Sequence, residues 1–340
     1  MKALAKTGPG MEGMELIEVP EPSLCEGEIK VRVSAAGICG TDIHIMRDEY
    51  PYNPPVILGH EYVGIISEVG SAVDNFKVGE RVVSLTAVST CGRCVYCRDG
   101  LYMLCPKRKS IGSGLDGAMA EYVKVPARLA YSIPDSISYG DELAMCEPLA
   151  CCIRAVSEQS RISAGDVVLI SGPGTIGLLT LQLCTMQGAR VIVSGTPRDS
   201  ERLELAKELG AERVVDSADE LLDVISTVCP GGVDAAFECA GVAVSADNCL
   251  KALKKRGGFT QVALYEQPIM FDFNAFLFKE LTLYTTFASE PTSWDRLMSI
   301  LKTEKIKLKP LFSNELSLED WQEGFRRATS LIGFKTALRP

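Results

Sequence analysis

The sequence predicts an α/β protein in which a β-rich first part precedes a doubly wound parallel sheet. Three observations carry this. Polar and apolar residues alternate between Gly, Pro and Asn turns over the first ~150 residues. From about Ser163 onward, short apolar runs alternate with stretches of helical spacing. A Gly-x-Gly-x-x-Gly stands at the first run-to-helix junction.

In the first part, Lys30–Ala35 and the segments around Val63–Val69 and Arg81–Leu85 have the period of half-buried strands. The second part pairs Asp166–Ser171 with a helix over Thr175–Gln187, then Arg190–Ser194 with a helix over Asp199–Leu209. Arg213–Val215, Val233–Cys239, Gly258–Leu264 and Leu281–Phe287 continue as strands, with helices over Ala218–Val228 and Val244–Lys254. Apolar runs without alternation suit strands covered on both faces, and six of them complete a doubly wound sheet. Trp294–Leu301 and Leu318–Thr329 read as helices outside this rhythm, in a segment that can return to the first domain.

Composition narrows the function. The 340 residues are 46% hydrophobic, enough for two cores, and no apolar run approaches the ~20 residues of a membrane span. The Met-Lys-Ala start shows no targeting pattern, so a cytoplasmic protein is expected. A net charge of −9 without basic clusters argues against a nucleic-acid partner, a zinc-finger binder included. Thirteen cysteines are odd in number and unlike a disulfide framework. Four cluster at Cys91, Cys94, Cys97 and Cys105, whereas Cys184, Cys229, Cys239 and Cys249 stand singly among apolar residues.

The run Gly172-Pro173-Gly174-Thr175-Ile176-Gly177 opens a helix after a strand, the setting in which such glycines bind a dinucleotide. The first permits a tight turn, the second lets backbone approach a pyrophosphate, and the third allows close helix packing. Free N–H groups at the helix start then face the phosphates. An NAD site usually carries a carboxylate roughly 20 residues further on. Here the chain reads Ser194-Gly195-Thr196-Pro197-Arg198, with Arg202 a turn later. A hydroxyl beside guanidinium groups suits a 2′-phosphate, so NADP(H) is favoured modestly over NAD(H). Arg198 as a solvated loop residue is the plainer alternative, and Asp199 restores NAD use if the loop turns inward.

Four thiols within fifteen residues, in a polar segment at about 88–108, suit a closed structural zinc site. An iron–sulfur cluster is the chemical alternative. Cys39, His60, Glu61 and Glu147 are competent zinc ligands too, but they are dispersed, and spacing alone does not bring them together.

In order and context, Gly37-Ile-Cys39-Gly-Thr-Asp42, Gly59-His60-Glu61, Val78-Gly-Glu-Arg-Val82, the four-cysteine lobe, Glu147-Pro-Leu and the glycine turn resemble the zinc-containing medium-chain dehydrogenases, the alcohol dehydrogenase family. Glu147-Pro places the likeness nearest the sorbitol/polyol and threonine dehydrogenase branch. The resemblance implies a GroES-like β-rich catalytic domain, residues 1–149 and 288–340, and a Rossmann nicotinamide-binding domain, residues 150–287, with the active site in their cleft. It implies two zinc ions per chain. Cys39, His60 and Glu147 surround the catalytic one, with Glu61 a ligand or near neighbour that exchanges with Glu147 or water. Thr41 matches the hydroxyl that meets the substrate alcohol, and His44 a proton-relay position reached through the cofactor ribose. The expected reaction is reversible hydride transfer between a secondary alcohol, such as a polyol, and NAD(P), in a homodimer or homotetramer.

Sorbitol dehydrogenases have an Arg-Tyr pair after a Phe where this chain reads Phe287-Ala288-Ser289, so the likeness does not extend to sorbitol itself. L-threonine 3-dehydrogenase-like and sugar-phosphate alcohol dehydrogenase activities stay open as alternatives. A zinc-free quinone or enone reductase would lack the cysteine sets. A non-catalytic NADPH-binding structural or sensor protein would need neither Thr41 nor His44.

Overall fold

The computed structural model describes residues 1–340 and divides into two compact units, residues 1–150 with 289–340, and residues 151–288. The first unit is built on strand Glu28–Gly37. One side of it pairs antiparallel with Glu61–Val69, which continues to Arg81–Ser84 and Ala130–Ser132. Its other side pairs with Tyr122–Pro126 at the start of the strand and with Lys335–Arg339 at its end. Lys335–Arg339 also pairs in parallel with Phe312–Ser317. A separate small sheet joins Met14–Glu18, Lys2–Lys6 and Val56–Ile57.

Strand alternation explains the first unit. Ile29, Val31, Val33 and Ala35 are buried while Lys30, Arg32 and Ser34 point away. Two register shifts interrupt the Glu28–Gly37 pairing with Glu61–Val69, and the pair closes with Gly37 opposite Glu61. That end fixes the site, because Cys39 lies two residues past Gly37 and His60 one residue before Glu61.

The second unit holds six parallel strands: β1 (Val167–Ser171), β2 (Arg190–Ser194), β3 (Arg213–Val215), β4 (Val233–Glu238), β5 (Leu253–Gln261) and β6 (Thr282–Thr285). Their order is 3-2-1-4-5-6, the doubly wound arrangement expected, with its switch point between β1 and β4. The crossovers carry α1 (Thr175–Met186), α2 (Ser200–Glu208), α3 (Ala218–Val228), α4 (Ala243–Ala252) and α5 (Phe273–Lys279). Residues 167–171 are all buried, as a run without alternation requires. One core joins Val167, Leu169, Ile192, Val215, Ile225 and Phe259. Each such side chain, fully buried, contributes about 1.5–3 kcal/mol.

Sequence and structure differ at α4 and β5. The helix stops at Ala252, where Leu253 turns to extended backbone, and β5 starts there rather than at Gly258. A register shift near Val233 and a left-handed Arg256 accommodate the irregular start.

Candidate metal centre and dinucleotide turn

Cys39 is the residue that caps helix Gly40–Met46, and its position follows from reciprocal bonding. Its side chain accepts the Asp42 N–H, while Asp42 Oδ2 accepts the Cys39 N–H at 2.8 Å. Asp42 is fully buried and uses its other oxygen, Oδ1, on the Gly59 N–H at 3.3 Å and toward His60 Nδ1 at 3.7 Å. One carboxylate thus aligns a thiol and an imidazole from two separate loops. Burial raises the Asp42 pKa, an effect the nearby His60 opposes. For His60, burial disfavours the charged ring, but Asp42, Cys39 and Glu147 outweigh it and hold the pKa well above the usual imidazole range.

Glu61 completes the cluster through strand register. Directly opposite it stands Gly37, where a Cβ would sit 2.4 Å from Glu61 Oε2, so only glycine leaves room for the carboxylate. Lys335, buried and 274 residues away in sequence, donates to Glu61 Oε2 at 2.6 Å and Oε1 at 3.0 Å. The ligand atoms of Cys39, His60 and Glu61 all lie within 4.8 Å of one another. Glu147, in the first turn of helix Cys146–Ile153, stands outside that mutually close set, though its charge still acts on His60. Thr41 Oγ1 is 3.8 Å from Cys39 Sγ. Further along the same helix, His44 Nδ1 meets Glu49 Oε2 at 2.8 Å.

The four-cysteine lobe is closed at its base by Ser89 and Lys109, which exchange backbone bonds of 3.2 and 2.8 Å. Within it, the Cys94, Cys97 and Cys91 N–H groups donate to the sulfurs of Cys91, Cys94 and Cys105 at 3.3–3.4 Å. The N–H groups of Arg93 and Cys94 hold the Cys91 thiol well below the usual thiol range. The four sulfurs all lie within 4.8 Å of one another, with Cys94–Cys97 at 3.5 Å and Cys91–Cys97 at 3.9 Å. A tetrahedral zinc with ~2.3 Å bonds separates its sulfurs by ~3.8 Å, so the residues fit that ion. Val95, Tyr96 and Leu104 are exposed, so the lobe has little apolar core of its own.

In the second unit, the turn after β1 is shaped by its glycines. Gly172 has φ +104°, and a Cβ there would lie 2.8–2.9 Å from Ala240 N, Cα and Cβ. A Cβ on Gly177 would meet Gly172 O at 2.0 Å, whereas beside Gly174 the space is open. Gly174 caps α1 without a side chain, which leaves the first-turn N–H groups of Thr175, Ile176 and Gly177 available to an anion. This is the concavity a pyrophosphate fits. At the end of β2, Ser194 is buried and its hydroxyl lies 3.2 Å from Ser171 Oγ. Gly195 packs against Pro173, where a Cβ would stand 3.0 Å from the ring. Asp199 turns one oxygen back on its own loop: Oδ2 accepts the Thr196 N–H at 2.9 Å and hydroxyl at 2.7 Å. Arg198 is exposed, and Arg202 lies 4.0 Å from Asp199 with burial lowering its pKa.

Residues 25–135 match the alcohol dehydrogenase GroES-like domain, and residues 175–303 match the zinc-binding dehydrogenase domain. The chain is 36% identical to a sorbitol dehydrogenase of Halalkalibacterium halodurans over 100% of its own length and 99% of that protein's. The chain belongs to the zinc-type alcohol dehydrogenase family.

This dehydrogenase is likewise 37% identical to the D-arabitol-phosphate dehydrogenase of Enterococcus avium, over 96% of the chain and 93% of that protein. A zinc-binding dehydrogenase of Sinorhizobium meliloti, solved bound to NADP, superposes with a TM-score of 0.91 at 34% identity, covering 100% of this chain and 99% of that one. The protein is therefore a zinc-binding, NAD(P)-linked alcohol dehydrogenase acting on a small-molecule alcohol, with a GroES-like and a Rossmann unit. Its longest helices are not long and apolar enough to cross a membrane.

Two site residues escape sequence reading. Asp42 carries a detectable signal, since an acceptor three residues after Cys39 is capping-box spacing. Lys335 carries none, because nothing local ties it to Glu61.

Proposed function

We propose that this dehydrogenase oxidises a secondary hydroxyl of a polyol-like substrate at the Cys39, His60 and Glu61 cluster, with NADP(H) preferred over NAD(H) and two zinc ions per chain. The observation that carries the reading is the convergence of a thiolate, an imidazole and a carboxylate within 4.8 Å, the donor set of a catalytic zinc site that keeps a position for substrate. When bound, zinc there supplies Lewis acidity that lowers the pKa of an alcohol, and the nicotinamide supplies the hydride acceptor. The chain's own residues do the rest. Thr41, beside Cys39, takes the proton of the substrate hydroxyl as it gives up its own toward His44. His44, whose Nδ1 lies 2.8 Å from Glu49 Oε2, passes a proton outward. Glu61 and Glu147 offer two carboxylates to the same metal, Glu61 held back by Lys335. Cys91, Cys94, Cys97 and Cys105 hold the second, structural zinc.

NADP(H) preference is supported by Ser194, Gly195, Thr196, Arg198 and Arg202 at the end of β2, and by the commitment of Asp199 to its own loop. The polyol class is supported by the sorbitol and arabitol-phosphate relatives. Sorbitol itself is disfavoured because Ser289, in place of an aromatic clamp residue, is buried and accepts the Trp294 indole N–H at 3.0 Å. Self-association into a dimer or tetramer is supported by the edge strand β6, where Leu283 is exposed, and by the exposed Phe273, Leu277 and Phe278 of α5.

The test is reduction of NAD⁺ and NADP⁺ by the zinc-loaded protein against polyols, polyol phosphates and L-threonine. Turnover of a polyol or polyol phosphate with the higher kcat/KM for NADP⁺ supports the reading. Turnover of L-threonine alone overturns the substrate class, and a preference for NAD⁺ overturns the cofactor choice.

A further inference from the structure

Glu238 ends β4 with no exposed surface, in register with Ser171 at the end of β1. Its Oε1 collects three donors: the Ala240 N–H at 2.9 Å, the Gly241 N–H at 3.0 Å and the Ser245 hydroxyl at 2.7 Å. The Ser245 oxygen is also 2.8 Å from Ser171 Oγ, and Ser171 Oγ is 3.2 Å from Ser194 Oγ. A hydroxyl has one proton to give, and Oε1 accepts from Ser245 as from the two N–H groups, so Ser245 accepts from Ser171, which accepts from Ser194. A single polar chain therefore joins the ends of β2, β1 and β4 to the first turn of α4. The Glu238 carbonyl adds a link to the segment after β5, accepting from Val262 at 3.0 Å and Ala263 at 3.1 Å.

The glycine turn rests on this assembly. The missing side chain of Gly172 would collide with the backbone N and Cα of Ala240, the same residue whose N–H Glu238 holds. Gly241 is in the left-handed region at φ +72°, and a Cβ there would meet Leu264 O at 2.5 Å, so the Ala240–Gly241 backbone is confined on both sides. Without the carboxylate, the two N–H groups lose their acceptor and the wall behind Gly172 loses its anchor.

We propose that Glu238 is a positioning residue for the nicotinamide dinucleotide: Oε1 sets the Ala240–Gly241 backbone against which the pyrophosphate turn closes, and the serine chain carries that placement to Ser194 at the ribose end. The proposal rests on the second unit being the dinucleotide holder. Glutamine, whose amide oxygen can accept the same three donors, preserves the arrangement; alanine does not.

The test is NADPH and NADH binding to the full-length, zinc-loaded protein by fluorescence titration, alongside steady-state kinetics. Glu238→Ala raises the NADPH Kd and cofactor KM by about tenfold or more, while kcat and the alcohol KM at saturating cofactor stay within about threefold. Glu238→Gln restores the cofactor Kd to within about threefold of the parent. An unchanged Kd in Glu238→Ala overturns the proposal, as does a Glu238→Gln variant as weak as Glu238→Ala. If Glu238→Ala does not fold, Ser245→Ala decides: it raises the cofactor Kd by about threefold or more, and an unchanged Kd overturns the proposal. If the parent protein binds neither NADPH nor NADH, the dinucleotide reading itself fails and the proposal falls with it.

Discussion

Lys335 places its ammonium between the two oxygens of Glu61, 2.6 and 3.0 Å away, and donates a third bond to the Ile38 carbonyl at 3.1 Å. Both side chains are buried, so neither charge can be satisfied by water. In the metal-free protein, removing one partner strands the other. Lys335→Met is expected to lower unfolding free energy by about 3–5 kcal/mol, and adding Glu61→Gln to recover much of that loss. Urea unfolding of the single and double variants checks this. Equal stability of the parent and Lys335→Met would show that the pair is not coupled.

Lys6 is fully buried beside Asp48, with Nζ 3.1 Å from Oδ1, and Asp48 also accepts from Tyr52 and from the Gly10 N–H. The Tyr52 hydroxyl, the Gly10 N–H and Lys6 hold the Asp48 pKa at about 2, below the 3.8 of a free carboxyl. A depressed pKa stabilises the fold above the free value, and that contribution is lost as pH falls through the folded value. Asp48 has φ +61°, which asparagine tolerates, so Asp48→Asn removes the charge without new strain. The expected stability gap between the parent and Asp48→Asn is full at pH 6 and shrinks progressively from pH 3.8 toward about 2. Urea midpoints of both proteins across that range test it, and a gap that widens on acidification contradicts the assignment.

In the proposed proton path, Thr41, 3.8 Å from Cys39 Sγ, takes the substrate proton. Thr41→Val keeps the branched shape and removes only the hydroxyl. The expected result is a kcat lowered by about 10²-fold or more, with NADPH affinity within about twofold. An unchanged kcat removes Thr41 from the proton path.

Val95, Tyr96 and Leu104 of the cysteine lobe are exposed, so the proposed structural zinc would hold it more than packing does. Cys94→Ser is expected to reduce bound zinc from two to one per chain and to lower the thermal midpoint by more than ~5 °C. Metal analysis with thermal unfolding decides it. Full metal content with an unchanged midpoint would refute a structural role.

Legibility in the sequence followed the range of the interactions. The parallel sheet was readable because its central strands β1, β2 and β4 declare their burial locally, and Gly172, Gly174 and Gly177 mark their turn by spacing alone. The short helices were not. Gly40–Met46 has seven residues, too few for a period, and Phe273–Lys279 carries apolar side chains that remain exposed. Strand Lys335–Arg339 finds its partner on Glu28–Gly37, about 300 residues back, and no local pattern encodes that pairing. The proposed metal ligands were legible as residue types, whereas the close approach of Glu61, rather than Glu147, to Cys39 and His60 needed the register that sets Glu61 against Gly37.

The most direct test of the account is zinc content and alcohol oxidation measured together in the parent protein and in Cys39→Ala. The parent is expected to hold two zinc ions per chain. Cys39→Ala is expected to keep the lobe zinc, lose the other and lose alcohol oxidation, while binding NADPH as before. Full turnover in a Cys39→Ala protein that holds one zinc would contradict the account.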